Sequence, residues 1–450
     1  MVSLAERMAS NMDFAAFSKA DELKKRLWFT VFALIVFRLG TFIPLPGIDP
    51  NVLSDIFARN SGGILGMFNM FAGGALERMT IFALNIMPYI SASIIIQLGQ
   101  SVIPSLAALK KEGEAGHRKI TQMTRYLTVL ITVVQGYGIA VGWQSMTGSA
   151  GISAVVNPGF VFIFTTVVSL VGGTMFIVWL GEQITSRGVG NGSSLIITVG
   201  IIANIPSALA QTFELGRVGS MSLGVIALLM IMVLLLIYVI VLVERAQRKI
   251  TIQYPKRQVG MRMTAAESSH LPLKINPTGV IPPIFASSLL LLPITIANLS
   301  AENGPAWVQT LSQLLGHGQP LYLGLYAFLI AFFAFFYTAV VFNPEDTADN
   351  LKKHGGFIAG IRPGKNTAEY LDYVITRLTV LGAFYLVALC ILPEILISKL
   401  SVPFVLGGTT LLIVVQVTMD FVGQLQSHLI AYQYEGLIKK AALANKGKRR

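Results

Sequence analysis

Charge and cysteine are both scarce in this sequence. Only 12% of its 450 residues are Asp, Glu, Lys or Arg, whereas 54% are hydrophobic, and the mean hydropathy is +0.67. A soluble chain of this size needs far more charged surface, so the composition excludes an ordinary soluble fold and indicates a protein embedded in a bilayer. The single cysteine, Cys390, lies in an apolar run, and one cysteine excludes an internal disulfide.

Signatures of catalysis and of metal or nucleotide binding are also missing. The five histidines have no metal-ligand spacing, and no pairing of a nucleophile with a base is evident. Residues 186–192 (SRGVGNG) resemble a phosphate-binding loop, but they lack its lysine and no strand precedes them, so a tight turn is favoured. We therefore expect no enzymatic activity, no metal and no cofactor.

The first 26 residues lack the features of a cleavable signal peptide. Acidic residues alternate with basic ones there, and no small-residue cleavage site occurs before position 45. The first apolar segment is therefore expected to be retained as a membrane span.

Ten apolar runs are long enough to cross a bilayer, for which a helix needs about 20 residues. The sequence therefore predicts an all-α, polytopic membrane protein with ten transmembrane helices. The predicted spans cover residues 27–43, 79–98, 126–143, 159–181, 193–211, 221–243, 277–297, 321–342, 374–397 and 402–423.

Five spans in each half of the chain make the two halves begin on opposite sides of the membrane. Related halves of this kind form an inverted repeat, with the functional path at their interface. The predicted division is a cytoplasmic segment 1–26, a first half 27–211 that includes the short segment 61–75, an external hinge 212–220, a second half 221–423 with cytoplasmic loops 244–276 and 343–375, and a cytoplasmic tail 424–450.

The basic residues predict the orientation. With the amino terminus in the cytoplasm, 29 Lys and Arg residues fall on the inner side and 4 on the outer side, while Arg38 lies within the first span. The positive-inside rule favours this arrangement, in which both termini are cytoplasmic. The net charge of +12 is therefore interpreted as a topology signal and as docking sites for acidic partners, not as direct recognition of nucleic acid.

The outer segment 61–75 is apolar but too short to cross the membrane. Its five glycines loosen it, which is compatible with a segment that re-enters the membrane without spanning it. Such a segment must be surrounded by protein or line a water-filled cavity. The alternative is an amphipathic helix that rests on the outer lipid surface.

Spans two and seven both contain proline beside small or polar residues. Pro88 falls in the second span, and Pro282 and Pro283 fall in the seventh. Proline removes a backbone donor and permits a kink. Because the two spans occupy matching places in the two halves, they are candidates for a moving seam; the alternative is an ordinary kink in each.

Ionisable groups inside the spans are few, mainly Arg38 and Asp420. A coupled carrier usually needs buried charges, so their scarcity favours a pore with an apolar constriction. The cytoplasmic loops are longer than simple connections require, which is typical of functional loops. Residues 250–254 alternate as in a short strand, and Arg362 lies between glycine and proline on a predicted tight turn, where a partner can reach it.

Long motifs of mixed chemistry resemble those of the bacterial SecY family in the same order, from about residue 20 to residue 440. The motifs are 42–49 (FIPLPGID), 67–71 (MFNMF), 85–97 (NIMPYISASIIIQ), 181–185 (GEQIT), 343–344 (NP), 347–353 (TADNLKK), 360–364 (GIRPG) and 407–409 (GGT). The resemblance implies a protein-conducting channel in the bacterial inner membrane, which passes unfolded secretory polypeptides across and releases membrane-protein helices sideways into lipid.

The resemblance also implies roles for particular residues of this chain. An apolar ring around a central pore falls at Ile86, Ile90, Ile197, Ile284 and Ile413, and a further family position falls at Ser193, which is polar here. The short segment matches a plug that includes Gly62, Gly66, Phe68, Asn69, Phe71 and Gly73. Spans two and seven, with three and eight, match a lateral gate, in which we place Pro88, Ser91, Pro282 and Ser287.

Partners are likewise implied by the resemblance. The cytoplasmic loops match a docking surface for the SecA motor ATPase or the ribosome, and Lys256, Arg257, Arg262 and Arg362 are its candidate contacts. SecE-like and SecG-like small membrane subunits and substrates that carry a signal sequence complete the expected assembly. Two other classes compete with a channel: a secondary carrier, which predicts charged residues at the membrane midplane, and a structural scaffold, which needs neither proline-broken helices nor a re-entrant segment.

Overall fold

The computed structural model describes residues 21–48, 52, 69, 72–145, 155–218, 222–254, 258–259, 262–263, 268–300, 319–400 and 407–447. Within these residues α-helix dominates, as predicted. The helices are α1 (Asp21–Gly40), α2 (Met87–Val102), α3 (Pro104–Lys111), α4 (Glu114–Ser145), α5 (Phe160–Arg187), α6 (Gly192–Arg217), α7 (Leu223–Arg245), α8 (Ile281–Ser300), α9 (Pro320–Val341), α10 (Pro344–Lys353), α11 (Lys365–Leu400) and α12 (Gly408–Gly447). The strands are β1 (Gln247–Gln253), β2 (Gln258–Val259), β3 (Arg262–Met263), β4 (Ser268–Lys274) and β5 (Phe357–Ile358).

Seven helices in the described part of the chain are long and apolar enough to cross a membrane: α4, α5, α6, α7, α9, α11 and α12. The other three predicted spans fall on α1, α2 and α8, which have 20, 16 and 20 residues. The all-α, polytopic class is therefore confirmed, and a helix lies at every position where a span was predicted.

Helix α7 illustrates how these spans are built. Ser222 caps its start by accepting a hydrogen bond from the backbone N–H of Val225 at 3.4 Å, and Arg245 ends it with a positive charge that suits the helix dipole. Large apolar side chains such as Ile231 and Tyr238 point outward with about two thirds of their surface exposed. In lipid this exposure is favourable, whereas in water it would drive aggregation.

Two compact units make up the fold. The first comprises Met1–Tyr89, Arg125–Pro206 and Val417–Arg450, and the second comprises Ile90–Thr124 and Ser207–Gln416. Each unit is assembled from separated parts of the chain. The predicted division into halves 27–211 and 221–423 stays a prediction.

In the first unit, residues 72–86 form a chain of turns rather than the start of a transmembrane helix. Two backbone bonds tie this segment to the loop after α1: Leu45 N–H donates to the Met79 carbonyl at 2.8 Å, and Ile81 N–H donates to the Ile43 carbonyl at 3.1 Å. These bonds satisfy backbone groups that a helix would otherwise satisfy internally. The predicted helical start of span two at residue 79 is therefore wrong, and α2 begins at Met87.

The segment of turns is fixed between α1 and α5 by close packing. The Phe82 ring stacks on Phe37 of α1 and on Phe176 of α5, with ring centroids 6.1 and 6.0 Å apart. Gly173 of α5 lies so close to the Ile81 carbonyl oxygen that a Cβ atom at this position would overlap it. A small residue at position 173 is therefore required for this contact.

Gly173→Ala is expected to destabilise the protein by about 1–3 kcal/mol, because the overlapping atom belongs to the backbone and cannot rotate away. Gly172→Ala is the matched control, since a Cβ atom at the neighbouring position has no atom within 4 Å. Thermal unfolding in detergent should show a lower midpoint for the first variant only. Equal midpoints for the two variants would contradict the packing described here.

In the second unit, α8 packs against α9 and α9 packs against α11. Pro282 and Pro283 are the second and third residues of α8, and Pro88 is the second residue of α2. The first-turn N–H groups of a helix have no acceptor within the helix, so proline is tolerated there without bending it. Pro88, Pro282 and Pro283 therefore mark helix starts, and the alternative of an ordinary kink at these prolines is wrong; the moving seam stays a prediction.

The two long loops 244–276 and 343–375 meet in one small sheet with the strand order β4-β1-β5. β1 includes residues 250–253 of the strand predicted at 250–254 and pairs antiparallel with β4, and Ile252 lies opposite Ile358 of β5. Alternate residues Ile250 and Ile252 are buried, and Ile250 packs in one hydrophobic cluster with Leu371 in the first part of α11. The hydrophobic face of this sheet thus joins the loops 244–276 and 343–375 to the membrane part of the unit.

Candidate functional site

The five isoleucines predicted to form the ring occupy equivalent places on four helices. Ile86 directly precedes α2, Ile90 lies in its first turn, Ile284 lies in the first turn of α8, and Ile197 and Ile413 are the sixth residues of α6 and α12. Four of them are at least nine-tenths buried, and Ile284 is half-buried. Each helix therefore presents an isoleucine next to its amino-terminal end. Their assembly into one ring stays a prediction.

Ser193, the polar departure from the family pattern, is the second residue of α6. Its N–H donates to the Asn191 side-chain oxygen at 3.1 Å, so Ser193 belongs to the capped start of the helix. Because residues four apart share one helix face, Ser193 and Ile197 point to the same side of α6. This placement is compatible with the predicted ring position.

The carboxyl-terminal end of the predicted plug is anchored to α1. Arg38 donates from Nη1 to the Gly73 carbonyl oxygen at 2.7 Å. Gly73 has φ +69°, which disfavours other residues, and a Cβ atom there would lie 3.0 Å from the Gly200 Cα atom of α6. The arginine that the sequence placed inside the first span thus satisfies the backbone carbonyl of a buried glycine.

Asn69 closes the same anchor from inside the plug. Its side chain exchanges two hydrogen bonds with Glu77, each at 2.9 Å, and its carbonyl accepts the Gly74 N–H at 2.8 Å. The adjoining residues 72–76 are all buried. This burial in protein favours the re-entrant interpretation over a helix that rests on lipid. The predicted plug residues Gly62, Gly66, Phe68 and Phe71 lie outside the described residues.

The predicted gate residues stand at the starts of α2 and α8. Pro88 and Ser91 are buried in the first two turns of α2, and Pro282 is buried in the first turn of α8. Ser287 is half-buried and donates to the Ile284 carbonyl at 3.0 Å. The hydroxyl is thereby satisfied within its own helix and leaves the surface of α8 apolar.

The candidate docking residue Arg362 is exposed on a tight turn that follows β5. Gly360 and Gly364 flank it with φ of +82° and +106°, and Thr367 donates to the Arg362 carbonyl at 3.1 Å. The backbone therefore maintains the turn while the guanidinium remains available. Arg262 begins β3 of a short hairpin, and Lys256 and Arg257 lie outside the described residues.

An acidic pocket of about 500 Å³ lies between α10 and the start of α11. Its lining includes carboxylates from both helices: Glu345, Asp349, Glu369 and Asp372. The loop 343–375 thus carries both an exposed arginine and an acidic pocket. Among the described residues no group of three or more His, Cys, Asp or Glu side chains is arranged to hold a metal ion.

Two buried carboxylates were missed by the sequence analysis. Glu244, near the end of α7, is 4% exposed, and Glu394, within α11, is 6% exposed. Glu244 falls at the edge of an apolar run, where the sequence pattern assigned it to a cytoplasmic loop. Its partner, described below, is 32 residues away along the chain, and no local pattern could have identified the pair.

These features define a polytopic membrane protein with isoleucine residues at its helix starts, a buried segment of turns anchored to α1 and a small sheet formed by two long loops. A family model described as SecY matches residues 80–422. The chain is 55% identical over 428 residues to the protein translocase subunit SecY of Escherichia coli K12, with 95% of this chain and 96% of that protein covered. It is 54% identical over 431 residues to the subunit of the same name from Rickettsia typhi, with 95% and 99% covered. The chain belongs to the SecY family.

Solved structures show the same fold at low sequence identity. One described as a protein conducting channel matches with a TM-score of 0.63 at 17% identity and covers 90% of this chain and 92% of its own. A second, Sec61 in the canine ribosome–channel complex from the endoplasmic reticulum, matches with a TM-score of 0.61 at 16% identity over the same shares. The overall architecture is therefore that of the channel fold.

Proposed function

We propose that this chain is the pore subunit of a bacterial protein translocase. It passes unfolded secretory polypeptides across the inner membrane and releases membrane-protein helices laterally into the bilayer. The observation that carries this proposal is the identity of more than half of all aligned residues with translocase subunits along nearly the whole chain.

The proposed pore is sealed by Ile86, Ile90, Ile197, Ile284 and Ile413. A translocating polypeptide is chemically arbitrary, so its channel cannot rely on specific bonds. Branched apolar side chains can close around any residue and offer no polar site to an ion. The position of all five isoleucines at or just before helix starts, and the burial of four of them, support their assignment to the constriction.

The proposed plug covers residues 61–75 and rests against the ring in the closed state. Its anchor by Arg38 and the Asn69–Glu77 pair fixes one end, so that displacement involves the glycine-rich remainder. Plug and ring together would prevent ion leakage when no substrate is present. Neither needs to recognise a substrate.

The proposed lateral gate is formed by α2 and α8, together with the third and eighth spans. Both helices carry proline in their first turn, and each has a small serine side chain soon after it: Ser91 of α2 is buried and Ser287 of α8 is half-buried. Separation of these helices would open a path from the pore into lipid. The cost of separation must be met by a partner that binds the open state more tightly.

The proposed docking surface consists of the joined cytoplasmic loops. Arg362 and the acidic pocket supply charges of both signs for a motor ATPase of the SecA type or for the ribosome. Energy would come from ATP hydrolysis by the motor or from synthesis by the ribosome.

SecE-like and SecG-like subunits would cover part of the apolar helix surface, and both termini of this chain would face the cytoplasm.

Reconstitution tests this function. The chain, purified with its small membrane subunits in proteoliposomes, should protect a secretory precursor from external protease when the motor ATPase and ATP are supplied. Vesicles without ATP, and vesicles that lack this chain, are the controls. Equal protection with and without this chain would contradict the proposal.

A further inference from the structure

One amide side chain organises the turn that leads into α8. Asn276 is 2% exposed, and its Nδ2 group donates both to Glu244 Oε1 at 2.7 Å and to the Gly279 carbonyl at 3.2 Å. Its Oδ1 atom accepts a hydrogen bond from the buried Thr278 hydroxyl at 2.9 Å. Gly279 has φ +60°, which completes a turn of low tolerance to other residues. The start of α8 is therefore set by the position of Asn276.

Glu244 connects this turn to the end of α7, which the pairing of β1 with β4 holds in place. It is the next-to-last residue of α7. The Ile275 N–H, directly after β4, donates at 3.2 Å to the carbonyl of Ala246, directly before β1, and this bond continues the pairing of the two strands. The sheet thus fixes the end of α7, whereas α8 begins beyond Asn276. Burial of a carboxylate without a hydrogen bond raises the free energy of the folded protein. The bond from Asn276 to Glu244 therefore favours the observed position of α8.

Helix α11 supplies a second candidate partner for the same carboxylate. A Cβ atom at Gly382 would lie 3.1 Å from the Ile275 carbonyl, so α11 passes directly against the turn. Tyr385 stands one turn further along α11 and interacts electrostatically with Glu244. Its hydroxyl is buried and has no hydrogen-bond partner among the described residues. A buried hydroxyl without a partner is itself unfavourable.

We propose that Glu244 is a positioning residue that latches α8 in the closed position through Asn276, and that the Tyr385 hydroxyl becomes the partner of the carboxylate when α8 moves. The exchange keeps the carboxylate hydrogen-bonded in both states and satisfies the tyrosine only in the open one. The inference rests on the proposed role of α8 in the lateral gate. In this proposal, Glu244 of α7, Asn276 of the turn and Tyr385 of α11 together set the balance between the closed and open forms of the gate.

Gate closure is measured as the rate of disulfide formation between Ser91→Cys and Ser287→Cys in the reconstituted translocase. If the disulfide forms in the otherwise unaltered chain and blocks export, these helices are the gate and the latch can be tested. If it does not form, or forms without blocking export, the proposed gate is contradicted independently of the latch.

Breaking the latch should shift the gate toward the open form. Glu244→Leu and Asn276→Leu should each change the ratio of closed to open molecules about tenfold, as expected for loss of a hydrogen bond to a charged group. The double variant should shift the ratio no further than either single variant, because both remove the same bond. Glu244→Gln retains an acceptor for Asn276 and should stay close to the unaltered chain. Thr278→Val removes only the hydroxyl that donates to Asn276 Oδ1. It should shift the gate toward the open form by less than the leucine variants, and it replaces them if they fail to fold.

Tyr385→Phe gives the result that distinguishes a latch from a purely structural bond. Loss of the second partner should disfavour the open form about tenfold and slow export, in the direction opposite to Asn276→Leu. Thermal unfolding of the same samples controls for general destabilisation. Additive effects of the two leucine variants, or a shift of Tyr385→Phe in the same direction as Asn276→Leu, would overturn the proposal.

Discussion

Replacement of Ile86, Ile90 and Ile284 by serine is expected to raise the ion leak of vesicles that contain the translocase. Removing one isoleucine from an apolar constriction lowers the free-energy cost of wetting it by about 1.5 kcal/mol. Each substitution should therefore raise the passive leak about tenfold, with a larger rise for the triple variant. The measurement is the decay of an ion gradient across proteoliposomes without substrate.

Two controls distinguish a leak through the constriction from a leak caused by general disruption of the protein. Ile→Leu at the same three positions keeps the apolar volume and should leave the leak low. Ile231→Ser in α7 introduces the same polarity on a side chain that is 65% exposed on the outside of the unit. An unchanged leak in all three single serine variants would remove these residues from the constriction.

Arg362→Glu is expected to reduce motor-driven export about tenfold or more while leaving the protein inserted and stable. The exposed guanidinium makes no contact on which the turn depends, because Gly360, Gly364 and the bond from Thr367 shape the backbone. Charge reversal at a docking surface replaces attraction with repulsion and slows association. Initial export rates at several motor concentrations measure the effect, which should be largest at low concentration.

Lys353→Glu is the matched control for this prediction. It reverses an exposed charge at the end of α10 in the same loop, 343–375. Arg362→Lys should retain part of the activity, since a single ammonium lacks the planar donor geometry of arginine. Export that survives Arg362→Glu intact would contradict the docking role of this turn.

The helical class was predictable because apolar runs of span length have few soluble alternatives. The start of α2 was not predictable, because residues 79–86 are as apolar as a helix but bond to the loop after α1. That pairing joins distant residues, whereas hydropathy describes only neighbours. Pro88 gave a local signal, but proline is equally compatible with a kink and with a helix start.

The candidate site was likewise predictable only where local sequence motifs carry the information. Motif resemblance supplied the isoleucine positions, and these residues prove to share one kind of place on their helices. The roles of Arg38 and Asn276 depend on Gly73 and Glu244, which are remote in sequence. The pairing between the loops 244–276 and 343–375 could not be predicted either, because β5 has only two residues and no strand pattern of its own. Local patterns thus found the elements but not the bonds between them.

The most direct test of the proposed channel is crosslinking of a stalled export substrate to cysteines placed at Ile86, Ile90, Ile197, Ile284 and Ile413. The substrate carries a single cysteine and is halted during motor-driven export. When that cysteine is placed at the position along the substrate that lies in the constriction, it should form a disulfide with each of the five ring cysteines. It should form none with the outward-facing control Ile231→Cys. A stalled substrate that reaches the far side but crosslinks to none of the five positions would contradict passage through this ring.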